Sequence, residues 1–227
     1  MNNLISLMPK IIQGAGATLQ VTAVALFFGV LIGLILCLMK MSRYIIFRGI
    51  ASAYIEIIRG TPVLVQALFF YFGTPIVVRQ LVLWVTGSSI TFRIEPLIAG
   101  IIVCSINSSA YVAEILRAGI QSVDKGQMEA ARSLGMPHRL AMRKIILPQA
   151  IRTILPSLGN EFVVLVKETS ILSVIGVTEI TKAGQLHTAV TFTPFSTYFG
   201  IGCAYFIITF TLSRLVNRLE RRMAAGD

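Results

Sequence analysis

The sequence predicts an all-α membrane protein of about five transmembrane helices, with the N-terminus outside, the C-terminus inside and a cytoplasmic helical loop between spans three and four. Three observations predict it. Of the 227 residues, 55% are hydrophobic and only 13% charged, and the mean hydropathy is +0.79. Polar groups are too scarce to cover a soluble surface. Long uncharged runs recur along the chain, each near or above the roughly 20 residues a spanning helix needs. Basic residues gather at alternate ends of those runs, so the net charge of +10 reflects one side of a bilayer rather than a nucleic-acid surface.

The spans follow in order within one transmembrane domain over residues 1–227. Met1 to Pro9 lacks a positive side chain, and the uncharged run after Lys10 is too long for a signal core. Residues 16–39 are therefore a retained first span, in which Gly29 and Gly33 form a small-x-x-x-small pair suited to close helix approach. Span two covers residues 54–78, with Pro62 near its start and Pro75 near its exit. Arg79 to Glu95, holding Trp84 and Gly87-Ser88-Ser89, reads as a helix end, an interfacial anchor and an outer loop. Pro96 opens span three, 96–117. Span four, 153–177, is long enough but carries Asn160, Glu161, Lys167 and Glu168, and 178–193 is an outer loop with some helix. Span five is 195–213, followed by Arg214, Arg218, Arg221 and Arg222. With this layout fifteen of the twenty Lys and Arg residues lie inside, four outside and Lys167 within a span, which selects the orientation.

The loop 121–148 has its own local logic. Glu129 to Leu134 form a helix with an acidic residue near its start, where the helix dipole favours an anion. Gly135 supplies a left-handed cap and Pro137 opens the next helix, so the segment predicts helix, sharp corner, helix. Its alanines leave one side flat for a partner. Glu129, Ala130, Ala131, Gly135, Ile145, Leu147 and Pro148 also match, without a gap, the cytoplasmic loop of bacterial ABC importer permeases. Ile58-Arg59-Gly60-Thr61-Pro62, Asn107 to Ile115 and Lys167-Glu168-Thr169-Ser170 narrow the resemblance to polar amino acid permeases, glutamine permeases especially.

That resemblance implies a permease subunit in the bacterial cytoplasmic (inner) membrane, whose coupling helix docks on a separate ABC ATPase. It implies an extracytoplasmic amino acid binding protein and a second permease subunit, identical or similar. The chain contains no Gly-x-x-x-x-Gly-Lys-Ser/Thr loop, so ATP and Mg belong to the partner and no cofactor to this chain.

Ionisable and amide groups inside spans line aqueous paths or face the bundle interior. Asn107, Tyr111 and Glu114 share one face of span three; in span four Asn160 with Lys167, and Glu161 with Glu168, form adjacent rows. These seven are the candidates for a substrate pathway, with Glu114–Arg117 pairing as the structural alternative for Glu114. Cys37, Cys104 and Cys203 sit in apolar runs, His138 and His187 are isolated and are assigned no metal, and Ser133 and Ser170 lack a base, so no catalytic site is assigned. An ion-coupled carrier using the span-four carboxylates is the second reading, although the paired repeats such carriers show are not found. A membrane scaffold is the third.

Overall fold

The structure, a computed structural model, describes the backbone of residues 2–224 and the side chains of residues 6–223. Helix α1 (Asn2–Lys40) is the spine, 39 residues and so roughly 58 Å long. Helix α5 (Pro96–Gln121) lies along it. The contact is close because a Cβ on Gly29 would stand 3.2 Å from the Ser108 side chain, and one on Gly33 would stand 2.9 Å from the Ser109 carbonyl oxygen. The small pair expected from the sequence is where α5 seats.

Between them the chain makes an elbow. Helix α2 (Ile45–Gly60) buries Ala51 and Ile55 against Leu36, Ala110 and Ala113, while Ile45, Ile46 and Ile50 on its other faces are exposed. It stops at Gly60. After Thr61 and Pro62 the chain resumes as α3 (Val63–Leu68), passes through a π-helical turn (Phe69–Gly73) and continues as α4 (Thr74–Thr86). The expected span at 54–78 is thus corrected: Tyr54 to Arg59 belongs to a separate helix, because Pro62 has no N–H to continue the ladder. The rod beyond it runs through Arg79 and Trp84 to end at Gly87, whose φ of +70° lets it cap the helix.

Helix α6 (Lys125–Ser133) and α7 (His138–Ala141) form the loop, and a second π turn (Met142–Ile146) joins α7 to α8 (Leu147–Glu168). A 3-10 turn (Thr169–Ile175) leads to α9 (Ile180–Thr191), so most of the expected outer loop is helical. Glu179 caps α9: its carboxylate accepts from the Thr181 and Lys182 backbone N–H groups at 2.7 and 2.8 Å and from the Tyr205 hydroxyl at 2.6 Å. Helix α10 (Pro194–Ala224) closes the bundle. The main core joins Val21 and Ala25 of α1 to Ala99, Val103 and Cys104 of α5, Leu165 of α8 and Leu172 after it.

Among the described residues four rods are long and apolar enough to cross a membrane: Ser6–Lys40, Val63–Thr86, Pro96–Gln121 and Pro194–Met223. The fold is all-α and multi-pass. Helix α8 has the length, with 22 residues or about 33 Å, but Arg152, Glu161, Lys167 and Glu168 keep it from standing out by composition.

Candidate functional site

The loop is built from local signals. Asp124 caps α6 by accepting from the Gly126 N–H at 2.6 Å, and the helix ends at Leu134. Gly135 has φ of +81°, a left-handed conformation that only glycine adopts without strain, and Pro137 caps α7. The two alanines part company, because neighbouring helical positions point about 100° apart. Ala131 is buried against the second half of the loop, whereas Ala130 is exposed beside Glu129. One flat face made of both is corrected to a face of Glu129 and Ala130, with Leu134 84% exposed at the corner. Ile145 and Leu147 are half-buried, and Pro148 sits exposed in the first turn of α8.

The polar candidates divide into two groups, on neighbouring sides of α5 whose clefts share Ile115 and Ser157. On one side Asn107 is 3% exposed and donates from Nδ2 to Gln66 Oε1 at 3.1 Å. Further along this side, the Arg59 guanidinium lies 5.2 Å over the Tyr111 ring. Glu114 is a two-sided acceptor: Lys40 Nζ donates to Oε1 at 2.6 Å, while Arg117 Nε and Nη2 donate to Oε2 at 3.1 and 2.6 Å. The Glu114–Arg117 pairing is present, with Lys40 of α1 as a third member that the sequence did not identify. Arg59, Tyr111, Glu114, Ser122, Thr153 and Ser157 open onto one cleft of about 410 Å³.

On the other side Glu161 is 9% exposed and accepts from Ser108 Oγ at 3.0 Å, within the packing of α5 on α8. Asn160 is exposed and shares a second cleft of about 330 Å³ with Glu161, Asn217 and Glu220. Lys167 is exposed and Glu168 half-buried at the end of α8. Asn107 and Glu161 therefore serve different neighbours, since Ser108, one residue on, is the one that turns toward α8.

Gln66 carries no charge and so does not stand out in the expected span 54–78. It is the sole amide between Pro62 and Arg79, one turn after a proline, and that isolation was the available signal.

Long apolar helices enclosing charged and amide side chains, with a basic helical loop projecting from the bundle, define a multi-pass membrane subunit of the transport type. The chain belongs to the family described as binding-protein-dependent transport system inner membrane component, whose model matches residues 25–225. It is 39% identical over 215 residues to the glutamine transport system permease protein GlnP of Escherichia coli K12, covering 95% of this chain and 93% of that one. Against the arginine transport system permease protein ArtQ of Bacillus subtilis the identity is 35% over 219 residues, with 96% and 94% covered. A chain in the crystal structure of an amino acid ABC transporter with histidines superposes with a TM-score of 0.86 at 48% identity, covering 96% of each. An inward-facing structure of the MetNI methionine ABC transporter shares the fold, at TM-score 0.74 and 19% identity over 96% of this chain and 98% of that one. The protein is a permease subunit of an ABC-type importer in the bacterial inner membrane, and not an enzyme.

Proposed function

We propose that the chain carries a polar amino acid, glutamine or a close relative, delivered by an extracytoplasmic binding protein and moved by ATP hydrolysis on a separate subunit. The observation that carries this is the projecting loop. Helix α6 packs mainly on α7 and the π turn of its own loop, with Gln127 also accepting from Gln149 at the start of α8, and presents Glu129, Ala130 and Leu134, a small charged and apolar face held at a fixed angle by Gly135. Such a face suits docking of a coupling helix into a groove on the ATPase, with Ile145, Leu147 and Pro148 carrying the loop into α8. Relatives named for glutamine and arginine transport support an amino acid cargo.

In this reading residues 1–227 form one permease domain with α8 as its fifth span, N-terminus outside and C-terminus inside. Fifteen basic residues on one side support that orientation. Two such subunits, identical or similar, surround the path. Asn107, Tyr111 and Glu114 with Arg59 supply donors and acceptors for a zwitterion on one side of α5. Asn160, Glu161, Lys167 and Glu168 supply them on the other.

The test is amino acid uptake into liposomes holding this chain, its ATPase and its binding protein, comparing the native loop with a Glu129→Lys, Ala130→Trp variant. Loss of both uptake and ATPase association in a variant that still inserts is the expected result. Uptake without the ATPase, driven by an ion gradient, would replace this reading with the ion-coupled one.

A further inference from the structure

Arg59-Gly60-Thr61-Pro62 has no part in the loop and, beyond Arg59, none in the charged rows. Its chemistry is that of an interrupted helix. Thr61 (φ −119°, ψ 142°) and Pro62 (φ −63°, ψ 136°) are both extended between α2 and α3. In a continuous helix the Ile58 carbonyl accepts from the N–H four residues on. That residue is Pro62, which has none.

Gln66 supplies the missing donor. Its Nε2 donates to the Ile58 carbonyl oxygen at 2.8 Å, and also lies 2.9 Å from Thr61 Oγ1 and 3.1 Å from the Thr61 carbonyl oxygen. Thr61 Oγ1 in turn donates to the Ile57 carbonyl oxygen at 2.9 Å. One amide group has two hydrogens for three acceptors, so the break is closed by exchangeable bonds rather than by a fixed set. Gln66 Oε1 accepts from Asn107, and on the other side of the break the Tyr54 hydroxyl bonds with the Ile106 carbonyl oxygen and Ser109. Both sides of the break are moored to the same turn of α5.

Beyond the break the packing on the bundle is confined to the first turns, where Ala67 lies in the main core and Val63, Leu68, Phe70 and Tyr71 pack against it. Helix α3 is only six residues long and runs into the π turn, a feature that recurs at functional sites in helices. No residue of the following α4 is buried within the chain. A long rod is thus attached to the bundle through one polar staple and the short segment after it.

We propose that Thr61-Pro62 is a hinge on which the rod Val63–Thr86 re-aims during the transport cycle, and that Gln66 is the positioning residue that holds it. Gln66 stands in for the proline's absent N–H and ties the break to Asn107. Without it the Ile58 carbonyl loses the donor that stands in for the missing backbone N–H, at the point where the chain enters the rod.

The experiment uses the complete transporter in liposomes and rests on the ATP-driven reading for its assay. Gln66→Leu keeps the bulk and removes the amide, and is expected to lower the maximal transport rate about tenfold with half-saturation by loaded binding protein unchanged. Adding Pro62→Ala gives Ile58 a backbone donor and straightens the rod. If the hinge is needed, the double variant regains thermal stability and stays slow. Full recovery of transport by Pro62→Ala means that Gln66 is a cap and nothing more, and overturns the proposal.

A second measurement keeps native Gln66 and Pro62, and so does not depend on a variant folding. Spin labels at Glu56 and Gln80 are expected to change separation by about 5 Å between the nucleotide-free and ATP-trapped complexes. An unchanged separation in a complex that transports refutes the hinge. A native complex that transports without ATP counts against the ATP-driven reading instead, and the label distance measured with and without bound substrate then decides the hinge.

Discussion

Alanine at Gly33 tests the α1–α5 seat with one added carbon. That Cβ would lie 2.8 Å from Val112 Cγ1 and 2.9 Å from the Ser109 carbonyl oxygen, where ordinary contacts begin at 3.4 Å. Neither neighbour yields easily, since one is backbone and the other a β-branched side chain with a restricted χ1. Overpacking of this kind costs about 1–3 kcal/mol, against which alanine regains about 1 kcal/mol of helix propensity. With backbone as one of the two neighbours the upper half of that range applies, about 2–3 kcal/mol, and the expected net loss is about 1–2 kcal/mol. For a chain of this size that lowers the melting midpoint by about 2–8 °C. Gly16 is the internal control, because a Cβ there meets nothing within 4 Å, and its alanine variant should melt at or slightly above the native temperature. Gly29→Ala falls between, its 3.2 Å contact being with the Ser108 side chain rather than with backbone. The assay is thermal unfolding of the purified protein in one detergent. If Gly33→Ala melts with or above Gly16→Ala, α5 does not seat on α1 at this point.

Two further substitutions address the proposed pathway and loop. Glu161→Gln preserves an acceptor for Ser108, so the protein should insert and melt within about 2 °C of native, while uptake falls about fivefold or more; unchanged uptake rate and substrate ranking would remove Glu161 from the pathway. Gly135→Ala meets no atom within 4 Å and is strained by φ of +81° alone, at about 1–2 kcal/mol. It should lower the melting midpoint by about 2–8 °C and weaken ATPase association about tenfold in a titration, whereas native affinity would show that the corner does not set the docking angle.

Legibility in the sequence followed the range of the interaction. The corner at Gly135 and Pro137 was readable because a left-handed cap and a helix-opening proline are determined within a few residues. The Gly29–Gly33 pair was readable because spacing alone puts both on one face. The break at Pro62 was visible as a residue but not as a break, since helices in membranes tolerate proline and only the donor from Gln66 shows what replaced the lost bond. Helical spacing set the charged residues in rows and was silent about their partners. Asn107 and Ser108 differ by one residue and about 100° of rotation, and sequence periodicity cannot say that one meets α3 and the other α8. Lys40 and Glu114, which are 74 residues apart, pose the same difficulty.

The second π turn bears on how the loop can act at a distance. Met142 and Leu147, at its two ends, keep right-handed helical dihedrals, so His138 to Glu168 is one unbroken rod rather than a loop followed by a helix. Its buried side is continuous through Ala141, Ile146, Ala150 and Ile154. Ile154 packs directly on Gly119 near the end of α5, where a larger residue would not fit, and this contact is a natural pivot. Glu161 lies seven residues farther along, about 10 Å by helical rise, held to Ser108 on α5. A displacement of α6 reaches the rod through its packing on α7 and the π turn and can be relieved by bending the rod, at the π turn or at Pro156 inside α8, or by shifting the α5–α8 contact that buries Glu161. On the proposed function the second is the productive route, because it connects the face that meets the ATPase to a carboxylate beside the path without requiring any contact between them.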